Sequence, residues 1–135
     1  DYNLLPLNRV TAICNNNQNE ILFISNHEAR DTKKLSLPGD FIEFGELAED
    51  ALRRSIFQQT LLCIEPIDIL GIYSNINKQS AVHIIESVFV CIFTNFPELE
   101  KKIGSAKFVW MDRIQIEETK NSISNIKIIY KKKLF

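Results

Sequence analysis

Two short apolar runs near the start of the chain predict a pair of strands. The runs Val10–Cys14 and Ile21–Ile24 are rich in residues that favour strands. The residues between them, Asn15–Asn19, tolerate turn conformations. We therefore expect a β-hairpin, followed by a polar surface loop over His27–Lys34 and a short extended piece at Phe41–Phe44.

A helix is predicted next. Between Glu46 and about Leu61, apolar residues recur at spacings of three and four, and neither Gly nor Pro interrupts them. Acidic residues lie in the first turns, where the helix dipole favours negative charge. Pro66 excludes a longer helix.

The second half of the chain predicts further strands and a last helix. Strands are expected at Ile67–Tyr73, Ala81–Phe93 and Lys107–Trp110. The run Val88–Phe93 is apolar at every position, so we expect this strand to be covered on both faces. Either Ser122 or Ser124 is placed to cap a final helix that extends to Lys133. The order of elements predicts an α+β fold, an α/β/α sandwich in which a mixed β-sheet lies between helices.

Composition narrows the classes of function. The 135 residues are 45% hydrophobic and 24% charged, which suits one domain, expected over residues 9–135 after a lead-in of residues 1–8. The net charge of -1 argues against duplex nucleic acid as a partner. Cys14, Cys63 and Cys91 are dispersed, so neither a disulfide framework nor a CxxC metal site is indicated. We expect a cytoplasmic protein with no membrane partner, because no apolar run approaches the length of a membrane span.

The segment from Leu37 to Leu62 resembles the signature of the Nudix hydrolases, Gly-x5-Glu-x7-Arg-Glu-U-x-Glu-Glu-x-Gly-U, where U is a bulky aliphatic residue. Leu-Pro-Gly precedes the signature here, and Asp40 stands at its first Gly. Glu46 and Arg54 match its first Glu and its Arg, and the aliphatic positions fall on Ile56 and Leu62. The resemblance implies the Nudix fold and chemistry on a nucleoside diphosphate derivative.

The second half of the signature has lost its carboxylates. Ser55, Gln58 and Gln59 stand where the family has Glu, and Leu61 stands at the closing Gly. In the family these carboxylates hold Mg²⁺ or Mn²⁺ against the diphosphate and help to activate water. The helical spacing places Ser55, Gln58 and Gln59 on one side of the helix, where three carboxylates would form a metal cup. We therefore expect Mg²⁺ or Mn²⁺ binding, and ordinary Nudix chemistry, to be weak or absent.

The resemblance leaves a short set of candidate site residues. Glu46 is the remaining catalytic and metal-ligand position, and Glu43 is a second, weak metal ligand. Arg54 is a catalytic position of the family, but with Ser55 beside it we expect it to anchor the loop against Glu43 or Glu46. Candidates for ligand binding are Arg30, Gly39, Asp40 and Tyr73, where Tyr73 has packing in the core as its alternative role. A replacement base would be sought at Glu86, Glu117 or Glu118.

Three functional hypotheses follow. The first is a degenerate Nudix domain that binds a small nucleoside-diphosphate-type ligand or a protein partner with little or no catalysis. The second is an active Mg-dependent pyrophosphohydrolase, acting on ADP-ribose-, dinucleotide- or nucleotide-type diphosphates with a base outside the signature. The third is a sensor that works with a winged-helix partner chain. Many relatives are homodimers, and the resemblance leaves the choice between monomer and homodimer open for this chain.

Overall fold

The computed structural model describes residues 5–26, 34–95 and 107–131. Seven strands and three helices of these ranges follow one another along the chain, with a short 3-10 turn at Lys120–Ser122. They are β1 Leu7–Cys14, β2 Ile21–Asn26, β3 Lys34–Ser36, β4 Gly39–Phe41, α1 Ala48–Thr60, β5 Ile64–Asn77, β6 Val82–Phe93, β7 Lys107–Met111, α2 Arg113–Thr119 and α3 Ile126–Lys131. None of the described helices is long and apolar enough to span a membrane.

The strands form two sheets, and the fold is of the predicted α+β class. A four-stranded mixed sheet has the order β4-β1-β6-β5, in which β1 and β6 are parallel and the other neighbours antiparallel. A three-stranded antiparallel sheet has the order β3-β2-β7. The expected mixed sheet is therefore accompanied by a second sheet.

The predicted hairpin between β1 and β2 is wrong. A turn does join the two strands, and the Asn16 side chain accepts hydrogen bonds from the backbone N–H groups of Gln18 and Glu20 at 2.9 and 3.0 Å. The two strands nevertheless belong to different sheets, and one isolated bridge, Asn15 to Ile21, connects them. Strand β1 instead pairs with β4 and β6, and β2 with β3 and β7, which a local turn pattern does not reveal.

Strand β1 divides the hydrophobic core into two clusters. Val10, Ala12 and Cys14 pack with the apolar face of α1, whereas Ile13 belongs to the cluster on the opposite face. This alternation follows from the period of two along a strand. It is β1, and not β6, that is buried on both faces: in β6 only Val88 and Cys91 are buried, and Ile92 is 48% exposed. The apolar run of β6 still reaches both clusters, with Cys91 in the cluster of α1 and Val88 in the opposite one, so its coverage is partial.

The end of the chain differs from the single predicted helix. Helix α2 begins after Asp112, whose carboxylate accepts from the backbone N–H of Gln115 at 2.9 Å while the Gln115 side chain accepts from the Asp112 N–H at 2.9 Å. This reciprocal pair is a capping box. Helix α3 begins at Ile126, so neither Ser122 nor Ser124 directly precedes it. The predicted helix end at Lys133 lies outside the described residues, as does the polar loop His27–Lys33.

Other boundaries shift by a few residues. Strand β5 begins at Ile64, three residues before the predicted start, and includes Pro66 beside a register shift in its pairing with β6. Strand β1 begins at Leu7, within the segment expected to be a lead-in. Helix α1 follows the prediction closely, with Leu61 as its C-cap.

Candidate functional site

The Leu-Pro-Gly turn is fixed against β1 by a close backbone approach. The carbonyl of Pro38 accepts from the N–H of Ala12 at 2.9 Å, and Gly39 pairs with Thr11. A Cβ atom on Gly39 would lie 2.1 Å from the carbonyl oxygen of Val10. This distance is too short for any residue with a side chain. Gly39, predicted to bind ligand, therefore has a structural reason to be glycine.

Arg54 on α1 holds the loop that follows β4. Its Nε donates to Oε2 of Glu46 at 2.7 Å, and its Nη2 donates to Oε1 of Glu46 and to the carbonyl of Phe41, both at 3.1 Å. Asp40 and Glu43 lie further out, at 3.5 and 3.9 Å from Nη1. The loop is thus anchored on the helix through Arg54, in agreement with the contact expected from the sequence.

These contacts set the charge state of the pair. The hydrogen bonds from Arg54 and from the N–H of Glu43 lower the pKa of the Glu46 carboxyl. The same carboxylate raises the pKa of Arg54 above its already high ordinary value. Both groups are charged at neutral pH, and the carboxylate of Glu46 is already matched with a cation.

The three neutral residues of α1 do not form one open side of the helix. Ser55 is 1% exposed, and its hydroxyl donates to the carbonyl of Leu52 at 3.0 Å. Gln59 is half-buried; its amide donates to the carbonyl of Gly39 at 3.2 Å, and its Oε1 is shielded from solvent with no partner among the described residues. Gln58 is exposed and accepts from Arg54 at 3.3 Å. The three residues share one side of the helix, as their spacing predicts, but they differ in exposure because Ser55 continues the buried stripe of Leu52 and Ile56.

A cavity of about 350 Å³ adjoins this loop at Phe41, which is one of the residues that line it. The guanidinium of Arg9 lies over the Phe41 ring, 5.9 Å from its centroid, and the Arg9 Nε is 3.5 Å from Oε2 of Glu86. Glu86 also accepts from the hydroxyl of Thr11 and from the amide of Asn125, the latter at 3.5 Å. Because Arg54 binds the Phe41 carbonyl while Arg9 covers its ring, Phe41 connects the loop to the cavity.

Sequence reasoning missed most of this cavity. Of the residues that line it, only Glu86 was a candidate; the others are Arg9, Lys34, Leu35, Ser36, Phe41, Asn75, Ile84, Ser124 and Asn125. Arg9 carried a usable signal, because a charged residue within β1, directly before the apolar run that begins at Val10, is unusual in a strand. Asn125 carried none, since it reaches the cavity through the packing of segments far apart in sequence.

The remaining candidates lie elsewhere. Tyr73 is half-buried and packs against the cluster that contains Ile13, which agrees with its alternative role in the core. Glu117 accepts from Lys120 at 3.1 Å and from the Tyr130 hydroxyl, and these bonds lower the pKa of its carboxyl. Glu118 does not line the cavity. Arg30 lies outside the described residues.

Comparison with known proteins identifies the family. Residues 5–131 match the family model of the NUDIX domain, and the chain therefore belongs to the Nudix family. An ADP-ribose pyrophosphatase of Methanocaldococcus jannaschii is 35% identical over 72 residues, which cover 53% of this chain. The chain spans only 43% of the length of that relative.

Solved structures show the same fold. A NUDIX hydrolase from Nitrosomonas europaea superposes with a TM-score of 0.80 at 17% identity, covering 93% of this chain and 85% of the other. A MutT protein from Methanosarcina mazei superposes with a TM-score of 0.71 at 18% identity, covering 96% and 93%.

Nudix hydrolases generally use divalent metal ions, so the donors in this site can be tested for their fit to one. Mg²⁺ requires hard oxygen ligands, several of them anionic. Here both oxygens of Glu46 are engaged by Arg54, and the Arg54 cation lies among the carboxylates of Asp40, Glu43 and Glu46. Within the described ranges, no group of three or more His, Cys, Asp or Glu residues is arranged to hold a metal. As arranged, the donors do not fit a divalent ion.

Proposed function

We propose that this Nudix domain binds a nucleoside-diphosphate-type small molecule in the Arg9–Phe41 cavity and hydrolyses it very weakly or not at all. The observation that carries the proposal is the arrangement around Arg54. The guanidinium of Arg54 neutralises Glu46. The helix positions that supply metal ligands in the family signature hold Ser55, Gln58 and Gln59.

The expected loss of catalysis follows from charge. Attack of water on a diphosphate requires the negative charge of the phosphates to be neutralised, which metal ions normally do. With three carboxylates replaced by neutral groups, the helix lacks the charge needed to hold those ions. Loss of a general base alone lowers a rate by about 10²- to 10⁴-fold. Loss of metal would lower it further.

The cavity has the chemistry of a nucleotide site. Its volume lies within the range of small-molecule pockets, roughly 300–1,000 Å³. The Phe41 ring and the Arg9 guanidinium offer planar surfaces for a base, and the cations of Arg9 and Lys34 suit an anionic ligand. Side-chain amides of Asn75 and Asn125 can exchange hydrogen bonds with a ribose or a base edge. Because the Methanocaldococcus relative is an ADP-ribose pyrophosphatase, ADP-ribose is the first ligand to test.

One observation favours a second candidate function, the active pyrophosphohydrolase. Among the three carboxylates proposed as replacement bases, Glu86 lines the cavity. Its contacts with Thr11, Arg9 and Asn125 fix its position at the cavity wall. In this alternative Glu86 would act on water next to the bound diphosphate. A cytoplasmic location, which dispersed cysteines favour, belongs to both proposals.

Calorimetry and turnover assays distinguish the two functions. We expect ADP-ribose to bind without added metal and to survive overnight incubation with Mg²⁺ or Mn²⁺. Arg9→Met should weaken binding by at least about tenfold, because it removes a charge that faces the ligand. The matched control, Arg113→Met, removes an exposed arginine from α2 and should leave binding unchanged.

The outcome of the turnover assay decides between the candidates. Metal-dependent hydrolysis that disappears in Glu46→Gln would overturn the proposal of a binding protein. Metal-dependent hydrolysis that disappears in Glu86→Gln as well as in Glu46→Gln would establish the second candidate, which uses Glu46 together with a base outside the signature. Absence of both binding and turnover with ADP-ribose, a dinucleotide and a nucleoside triphosphate would contradict both.

A further inference from the structure

Among the described residues, the donors around Glu86 all contact one oxygen of its carboxylate. The Thr11 hydroxyl and the Asn125 amide both donate to Oε2, and Nε of Arg9 lies 3.5 Å from the same atom. Glu86 lines the Arg9–Phe41 cavity, and its side chain is 15% exposed. A carboxylate accepts hydrogen bonds at both of its oxygens. Oε1 is therefore the acceptor that Glu86 offers to a ligand.

The backbone fixes the orientation of the Asn125 amide. Its Oδ1 accepts from the N–H of Leu37 at 3.0 Å, so its nitrogen is the atom that lies on the side of Glu86. There Nδ2 donates to Oε2 of Glu86 at 3.5 Å. An amide nitrogen carries two hydrogens, so one of them remains for a ligand in the cavity that Asn125 lines.

The cavity wall thus presents an acceptor next to a donor, joined by their own hydrogen bond. The base edge that matches this order carries a donor next to an acceptor. In adenine the amino group at C6 is the donor, and the unprotonated ring nitrogen N1 is the acceptor. Hypoxanthine and guanine have the opposite order, because their O6 accepts and their N1–H donates.

We propose that Glu86 and Asn125 select a nucleotide whose base carries an amino group beside an unprotonated ring nitrogen, as adenine does. Oε1 of Glu86 accepts from the amino group, and Nδ2 of Asn125 donates to the ring nitrogen. This inference rests on the proposed function, because it concerns the ligand of the same cavity.

The charges of the cavity give the ligand the same direction. A carboxylate repels phosphate, so the uncharged base and not the diphosphate lies against Glu86. Arg9 contacts Glu86 and covers the Phe41 ring, which brings the planar groups suited to a base beside this carboxylate. Lys34, which also lines the cavity, supplies a cation for the phosphates. Glu86 then lies away from the diphosphate, in keeping with a protein that binds its ligand with little or no hydrolysis.

Calorimetry of the full chain without added metal, with ADP and IDP as the probes, tests the selection. The two nucleotides differ only at the base edge. We expect ADP to bind at least about tenfold more tightly, because IDP would place a carbonyl against the carboxylate and an N–H against the amide. Equal affinities would overturn the inference and leave the proposed function standing. If ADP, IDP and ADP-ribose all fail to bind, the proposed function falls as well.

Exchanging the polarity of the pair gives a sharper test. Glu86→Gln with Asn125→Asp offers a donor at position 86 and an acceptor at position 125, and it leaves the net charge unchanged. This double variant should prefer IDP over ADP. The matched control, Glu118→Gln with Asn121→Asp, makes the same exchange at two exposed positions and should keep the preference for ADP. A folded double variant that still prefers ADP as strongly as the wild type would overturn the inference. If it does not fold, the comparison of ADP with IDP in the wild type still decides.

A ribose hydroxyl is the other donor that could reach Oε1 of Glu86, and 2′-deoxy-ADP distinguishes it. We expect the ratio of the affinities for ADP and 2′-deoxy-ADP to be the same in the wild type and in Glu86→Gln. If instead the wild type binds 2′-deoxy-ADP at least about tenfold more weakly and Glu86→Gln abolishes the difference, the carboxylate contacts the sugar and the proposed base contact is wrong.

Discussion

Arg54 donates two hydrogen bonds to the two carboxylate oxygens of Glu46, at 2.7 and 3.1 Å, and thereby joins the middle of α1 to the loop that precedes it. The planar guanidinium fits a carboxylate in this two-point geometry and keeps its charge at all accessible pH values. In this domain the positive charge beside Glu46 is therefore the guanidinium of Arg54, which is part of the protein itself.

The Arg54–Glu46 pair should make stability depend on pH in the acid range. Because Arg54 lowers the pKa of Glu46, the contribution of the pair is fully present above the ordinary pKa of Glu, about 4.3, and is lost as the pH falls through the lowered value. In Arg54→Gln we expect the pKa of Glu46 to rise toward its ordinary value. The difference in free energy of unfolding between wild type and variant should be largest near neutral pH and smaller in acid.

Carboxyl NMR titration measures the pKa of Glu46, and urea unfolding at several pH values measures the free energy of unfolding. Arg53→Gln is the matched control, because Arg53 is the next residue of the helix and binds Glu65 and Asp50 instead. It should raise the pKa of Glu65 and leave that of Glu46 unchanged. An unchanged pKa of Glu46 in Arg54→Gln would contradict the contact.

Two glycines of the loop should respond differently to alanine. At Gly39 a Cβ would collide with the backbone of Val10, which cannot move without disturbing β1, so Gly39→Ala should cost more than about 2 kcal/mol. At Gly45 nothing lies within 4 Å of the added atom, but φ is +83°, so Gly45→Ala should cost about 1 kcal/mol from backbone strain. Urea unfolding measures both values. Equal effects at the two positions would show that the approach of β4 to β1 is looser than described.

Leu61 ends α1 in a conformation that normally belongs to glycine. Its φ of +62° is left-handed, and its N–H donates to the carbonyl of Phe57 at 2.9 Å. The chain has kept the helix end of the family signature after losing the closing Gly. Leu61→Gly should be more stable than Leu61→Ala by about 1 kcal/mol, because both lose the side chain but only Ala retains the strain. An equal free energy of unfolding for the two variants would contradict the left-handed C-cap.

Local features of this protein were predictable and long-range features were not. Helix α1 follows from spacings within one segment, and the Arg54 contact was expected from the resemblance of that segment to the family signature. The hairpin failed because β1 and β2 each pair with strands far away in sequence, for which a turn pattern gives no information. Helix α2 was missed although Asp112 and Gln115 form a capping box that the sequence displays. The cavity around Glu86 needed the structure, since Asn125 reaches it from 39 residues away.

Burial also changes which substitutions can restore a metal site. Ser55 lies in the core, so Ser55→Glu would place a carboxylate where it has no partner, at a cost of about 2–5 kcal/mol. Gln58 is exposed and Gln59 is half-buried near the Gly39 carbonyl. A double change, Gln58→Glu with Gln59→Glu, adds two negative charges to α1 and leaves Ser55 in the core unchanged, although it removes the hydrogen bond from Gln59 to the Gly39 carbonyl. It is a better test of whether the site lacks only charge than any variant that includes Ser55→Glu.

We expect the double variant to bind Mn²⁺ at millimolar concentration, measured by calorimetry or by loss of the free-ion EPR signal, under conditions where the wild type binds less. The added carboxylate at position 58 competes for Arg54 and leaves Glu46 freer to accept a cation, and the second carboxylate adds a further negative charge. The control is Gln18→Glu with Gln79→Glu, which adds the same charge at two exposed positions elsewhere. If the two double variants bind Mn²⁺ equally, net charge alone explains the effect. If neither binds more than the wild type while both remain folded, the position of the Arg54 cation, and not the missing carboxylates, keeps metal from this helix.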